Sequence, residues 1–151
     1  MGDRHKILVV EDDALVRKLS VRALLASGYH VDTAEDGAAG WDALQARIHD
    51  LLLSAQNMPK MSGIQLVKRA RIARMSLPAV LVSRARPKVE LEQYPWLKIS
   101  AILAKPFSQQ ELLATVQVAL SAAGNPSGLL SSSPPVDGWP SLQPRSWGIN
   151  Q

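Results

Sequence analysis

The stretch KILVVEDD (6–13) decides the fold: after Lys6 four residues form a continuous apolar, largely β-branched run, and three acids follow at once. An apolar run without alternation is the pattern of a strand covered on both faces, which requires helices on both sides of a sheet. Working outward, the period turns helical from Ala14 to Ser27, with Leu15, Leu19, Ala23 and Ala26 forming an expected inward stripe that Gly28 stops. A second strand is expected over Tyr29–Ala34, and Asp36 suits the cap of a helix reaching about Arg47. Leu51, Leu52 and Leu53 read as a third buried strand. Gly63 then precedes a helix whose Ile64, Val67 and Ala70 face inward. Ala79–Ser83 and Ile99–Leu103 read as the fourth and fifth strands, with a short helix near Val89–Tyr94 between them. Ser108 and Glu111 make a capping box for a last helix that turns Leu112, Val116 and Ala119 inward. Strand and helix alternating five times predict a doubly wound α/β fold with a parallel sheet and right-handed crossovers.

Composition sets the limits. The 151 residues carry 17 Lys+Arg and 13 Asp+Glu, with 46% apolar and 20% charged residues, as globular chains do. There is no cysteine, which excludes disulfides, thiolate metal sites and a cysteine nucleophile. No apolar run is long enough to span a membrane, and the N-terminus lacks a signal-peptide pattern, so a soluble cytoplasmic protein is expected. Residues 1–123 hold 28 of the 30 charged residues, whereas 15 of the 28 residues in 124–151 are Pro, Gly or Ser. That second segment has too little apolar area to offset its ordering entropy and is expected to be a disordered tail. Trp139 and Trp147 within it read as scattered aromatics, leaving the activity to residues 1–123.

In open α/β sheets the site lies at the carboxyl ends of the strands. There the sequence sets Glu11, Asp12 and Asp13 after the first strand and Ala55, Gln56, Asn57, Met58 and Pro59 after the third. Ser83 ends the fourth strand, and Lys105-Pro106 follows the fifth. Converging carboxylates repel unless a cation or lysine neutralises them, and oxygen ligands without His or Cys suit Mg²⁺. A hydroxyl and a lysine nearby would hold an oxyanion. Singly each residue reads as a solvated cap or a surface group; together they mark a site.

These residues carry a resemblance. ILVVEDD (7–13), NMPKMSG (57–63) and AKPF (104–107), with Ser83 placed 22 residues before Lys105, resemble the receiver (CheY-like) domain of bacterial two-component response regulators. The resemblance covers residues 5–122 and implies a five-stranded parallel sheet of order 2-1-3-4-5 enclosed by five helices. It implies phosphotransfer from a histidine kinase to an aspartate ending the third strand. It also implies Mg²⁺ held by Glu11, Asp12 and the backbone carbonyl of Asn57, with Ser83 as switch hydroxyl and Lys105 as phosphate-binding lysine. The position of the acceptor aspartate, four residues before the Pro of the Met-Pro pair, is Ala55.

A methyl group offers no nucleophile and no metal ligand. Ser54 is adjacent, but successive strand residues point to opposite faces. Glu11, Asp12 and Lys105 leave one excess negative charge, where an intact site would have two. The expectations are a Lys105–Asp12 pair, weakened Mg²⁺ binding, and no enzymatic activity. Arg84, where the family is usually small, has two open readings: over the acidic pocket, or in solvent. Two functional readings also stay open. One is a single-domain receiver in phosphorelay signalling that acts through protein contacts without phosphorylation, on the surface of the fourth helix, fifth strand and fifth helix near Tyr94, Trp96, Ile102 and Phe107. The other is an ordinary phospho-accepting receiver carrying an Asp-to-Ala change at position 55. A Mg²⁺-dependent hydrolase is a distant alternative, since two carboxylates would have to hold the metal that activates water.

Between Lys60 and Lys88 there are eight basic residues and no acid. Lys68, Arg69, Arg71 and Arg74 are expected on one helix face opposite its apolar stripe. Such a run is ordinarily a solvated face. The functional alternatives are an acidic protein partner or weak contact with a phosphate backbone. No nucleic-acid-reading motif accompanies it, so sequence-specific nucleic-acid binding is not expected. His5, His30 and His49 lack ligand spacing and read as structural or surface residues.

Overall fold

The computed structural model describes residues 4–85 and 88–123. Arg86 of the basic run and the expected tail, 124–151, lie outside the described residues. The elements run β1 Lys6–Val10, α1 Ala14–Ala26, β2 His30–Ala34, α2 Gly37–Ala46, β3 Leu51–Ala55 and α3 Gly63–Ile72. They continue with β4 Ala79–Ser83, α4 Lys88–Gln93, a 3₁₀ turn Pro95–Leu97, β5 Ala101–Ala104 and α5 Gln109–Ala123. The sheet is parallel throughout, in the order β2-β1-β3-β4-β5. No helix among the described residues is long and apolar enough to cross a membrane.

Alternation along the central strands splits the interior in two. Leu8, Val10, Leu52 and Leu81 face α2, α3 and the 3₁₀ turn, packing with Leu66, Val67, Ala70 and Leu97. Ile7, Val9, Leu51, Leu53, Val80 and Val82 face α1 and α5, packing with Leu24, Leu112, Val116 and Ala119. Period-2 side chains with both faces covered explain why Ile7–Val10 show no polar residue, with Lys6 only partly buried at the start of the strand.

The inward stripe of α1 differs from the expectation. Leu15 and Leu19 are 64% and 53% exposed, and the buried residues are Ser20, Ala23 and Leu24. The phase is set at the start of the helix, where the Asp13 carboxylate accepts from the Leu15 and Val16 amides. Docking against Ile7 and Val9 then selects the face that carries Ala23 and Leu24. Sequence apolarity alone does not mark that face, because α1 carries leucines around much of its circumference. Gly28 ends the helix at φ +93°, a conformation open to glycine.

β5 begins at Ala101, two residues later than expected. Ile99 is buried among the residues on the α3 side but belongs to the approach to the strand, which follows Lys98 in a left-handed conformation. The capping boxes of α3 (Ser62 with Gln65) and α5 (Ser108 with Glu111) both form.

A candidate functional site at the carboxyl ends of the strands

Parallel register brings the chemistry together. Val10 pairs with Ser54 and Ala55 with Val82, so Glu11, Ala55 and Ser83 stand on neighbouring strand ends. Lys105 joins them because its amide donates to the Ser83 carbonyl at 3.0 Å.

Glu11 is buried. One of its carboxylate oxygens accepts from the Asp13 amide at 3.1 Å, and Lys105 Nζ lies 3.2 and 3.3 Å from the two oxygens. The lysine partner is therefore Glu11, not Asp12 as expected. Asp12 is exposed and solvated, whereas Glu11 sits where charge is costly and gains more from a cation. Asp13 leaves the acidic group altogether and serves as the α1 cap. Burial pushes the Glu11 carboxyl above its ordinary value of 4.5; the Asp13 amide and Lys105 oppose the shift, and Asp12 adds to it.

The sign of the pH effect follows. A carboxyl with a raised folded pKa supports the fold below its ordinary value, and that support is lost as pH rises through the folded value. Urea unfolding across a pH series should show the native chain losing stability above about pH 4.5. Glu11→Gln should lack that slope, and equal slopes in the two proteins would refute the assignment. Asp32 works in a separate window. Its carboxyl is desolvated, yet His49, Lys6 and Arg47 together hold it below 3.8, so its support is present above that value and lost as pH falls through the lowered one. His49 is buried with Nε2 2.8 Å from Asp32, a structural role at the far edge of the sheet.

Ala55 is 1% exposed and has only a methyl group to offer. Ser54 is fully buried, and its hydroxyl donates to the Ala55 carbonyl at 2.8 Å. The Ser83 hydroxyl donates to the Ala85 carbonyl, accepts from the Ala85 amide at 3.2 Å, and lies 3.4 Å from the Asn57 side-chain oxygen. Arg84 is exposed and makes no ion pair among the described residues.

Two organisers escaped the sequence reading. Gln56 is buried and accepts from the Ile64 amide at 2.8 Å through its side chain and from Gly63 at 3.0 Å through its carbonyl, fastening β3 to α3. Arg17 donates to the Glu11 carbonyl at 2.6 Å. Neither position carries a periodicity or motif signal; each depends on chain crossings made by the folded state.

For Mg²⁺, which needs near-octahedral oxygen ligands, the chain offers Glu11, Asp12 and the Asn57 carbonyl. Glu11 is already held by Lys105, and among the described residues no three His, Cys, Asp or Glu side chains gather around one point.

The basic face is also rearranged. Arg71 is not on it: its guanidinium turns inward and donates to the carbonyls of Leu97 at 2.7 Å and of Met75 and Leu77 at 2.8 Å. Burial pushes its pKa down to about 10, so it remains charged at neutral pH. Lys68 lies over the Tyr94 ring at 3.7 Å and Arg69 over Trp41 at 5.6 Å. Arg74 follows the helix in a left-handed conformation. Helical spacing places side chains around an axis, but the carbonyls of the following loop draw Arg71 out of the expected face.

Comparison with known proteins agrees with this architecture. Residues 7–117 match the response regulator receiver domain family. Over 118 residues the chain is 31% identical to the response regulator receiver protein CpdR of Brucella abortus, covering 78% of this chain and 98% of that protein. It is 36% identical over 117 residues to the response regulator MprA of Mycobacterium avium, covering 76% of this chain but only 50% of that relative. The chemotaxis response regulator CheY4 of Vibrio cholerae superposes with a TM-score of 0.72 at 28% identity, over 78% of this chain and 99% of that one. The chain belongs to the response regulator receiver domain family, the signalling modules of two-component systems.

Proposed function

We propose that this receiver signals through protein–protein contacts without aspartyl phosphorylation. Ala55 carries the reading: the strand end flanked by Glu11 and Ser83 has a buried methyl group and no nucleophilic oxygen. Ser54 offers no substitute, because its hydroxyl is buried and committed to the Ala55 carbonyl. With Lys105 neutralising Glu11, the pocket holds its charge without a metal, and the weakened Mg²⁺ site rests on Glu11, Asp12 and the Asn57 carbonyl. Ser83 and Lys105 keep the positions of switch hydroxyl and phosphate-binding lysine.

The contact surface is formed by α4, β5 and α5. Trp96 is 45% exposed there, with its ring edge-on to Tyr94 at 6.3 Å. Phe107 packs into the α1–α5 side of the core and Ile102 against the other side, so neither is a free contact. Lys68 and Arg69 suit an acidic partner, such as a histidine kinase or another signalling protein; Arg74 extends that charge, and Arg71 does not contribute. No element among the described residues is shaped to read nucleic-acid sequence, and the protein acts in the cytoplasm with residues 124–151 as a tail.

A second reading is favoured by the retained Glu11–Lys105 pair and Ser83: an ordinary phospho-accepting receiver carrying alanine for aspartate at position 55. One experiment bears on both. The native chain and Ala55→Asp are incubated with acetyl phosphate and Mg²⁺ and weighed intact. The native chain should gain no phosphoryl group, and Ala55→Asp should gain one. An adduct on the native chain overturns the main reading; no adduct on either overturns the second. By calorimetry, Ala55→Asp should bind Mg²⁺ on the order of 10-fold more tightly, since one hard ligand and one charge are restored.

A further inference from the structure

At the opposite edge of the sheet, where the strands begin, lies a groove of about 550 Å³. Leu44 lines it from the end of α2 and Ile48 from the loop that follows, Met75 and Leu77 from the loop before β4, and Leu120 and Ala123 from the last turn of α5, with His5, Arg47, His49 and Asp50 forming a polar part of the wall. Ile48 is 89% exposed, the largest exposure among the big apolar side chains of the described residues. The inward stripe of α5, Leu112-Val116-Ala119, continues at helical spacing to Ala123, so the apolar face of that helix runs past the sheet and into the groove.

We propose that this groove is a docking site for the chain's own Leu129-Leu130. Three observations single out that occupant. The chain leaves the described fold at Ala123, itself a lining residue. The next residues, GNPSG (124–128), are helix-stopping and turn-forming types, a composition compatible with a short link between α5 and the groove. Leu129 and Leu130 are the first large apolar residues after the turn and have no charged neighbour before Asp137. Seven residues reach at most about 25 Å, so the pair is held near the groove at an effective concentration of roughly millimolar. Even a weak apolar contact is populated under that tether. The remainder of the segment, including Trp139 and Trp147, is not required.

The test is a double-mutant cycle in the full chain, with Ile48→Asp and the paired change Leu129→Asp with Leu130→Asp, followed by thermal unfolding. An exposed substitution that touches nothing shifts the melting temperature by no more than about 2 °C. Each arm should lower it by about 4 °C or more, and the combination should lower it no further than the larger single effect. Additive losses, or a shift in fewer than both arms, overturn the proposal. So does sedimentation showing a concentration-dependent dimer that Ile48→Asp abolishes and the leucine changes leave intact, which assigns the groove to a second copy.

Discussion

Arg71→Ala should lower the melting temperature by roughly 10–15 °C, the largest effect expected of a single substitution outside the strands. The guanidinium ties the end of α3 to the Met75 and Leu77 carbonyls of the following loop and to the Leu97 carbonyl at the end of the 3₁₀ turn. A hydrogen bond to a charged donor contributes about 1.5–3 kcal/mol, and a buried carbonyl left without a donor costs about 1–3 kcal/mol. Three carbonyls lose their donor together, so a loss near 4 kcal/mol is expected even after allowing for non-additivity. Arg71→Lys should recover only part of this, because a single ammonium cannot span acceptors on two separate segments as a planar fork does. The approach to β5 should become mobile, and amide exchange at Leu97, Lys98 and Ile99 should accelerate with the loss of stability. A melting temperature within 2 °C of the native value would show that the loop carbonyls find water instead.

The second large effect is expected of Gly63→Ala. A Cβ at this position would stand 2.5 Å from the Ala55 carbonyl oxygen and 2.9 Å from Leu81 Cδ2. The nearer obstacle is backbone in a central strand and cannot rotate away. Overpacking of this kind costs about 1–3 kcal/mol, occasionally more, and the fixed backbone puts this case at the upper end. The melting temperature should fall by about 10 °C. The change should also reach the site, because the Gly63 amide donates to the Gln56 carbonyl and Asn57 follows directly. Separating α3 from β3 should break the Asn57–Ser83 contact, read as altered amide resonances at both residues. A neutral substitution would mean that the loop yields, and that the glycine of NMPKMSG is not required by close packing.

Both effects lie at places where the sequence was only partly legible. The order of elements was readable because each central strand contains an uninterrupted apolar run and two of the helices begin at recognisable caps, Asp36 and Ser108, whereas the caps Asp13 and Ser62 emerged only in the folded chain. The motifs ILVVEDD, NMPKMSG and AKPF were sufficient to assemble Glu11, Ala55, Ser83 and Lys105 at one end of the sheet, since parallel register aligns strand ends. Ala55 itself was identified by counting residues. These are local or periodic properties, which the covalent chain displays before it folds.

Partnerships across the chain were decided by the tertiary structure. Lys105 chose the buried Glu11 over the exposed Asp12 because desolvation makes the inner carboxylate the one in need of a cation. Arg71 left its helix face for carbonyls exposed only when the loop before β4 and the 3₁₀ turn are in place. The leucines of α1 were sorted into core and surface by docking against Ile7 and Val9. In each case the energy depends on burial, and burial is a property of the folded molecule that no spacing along the chain contains.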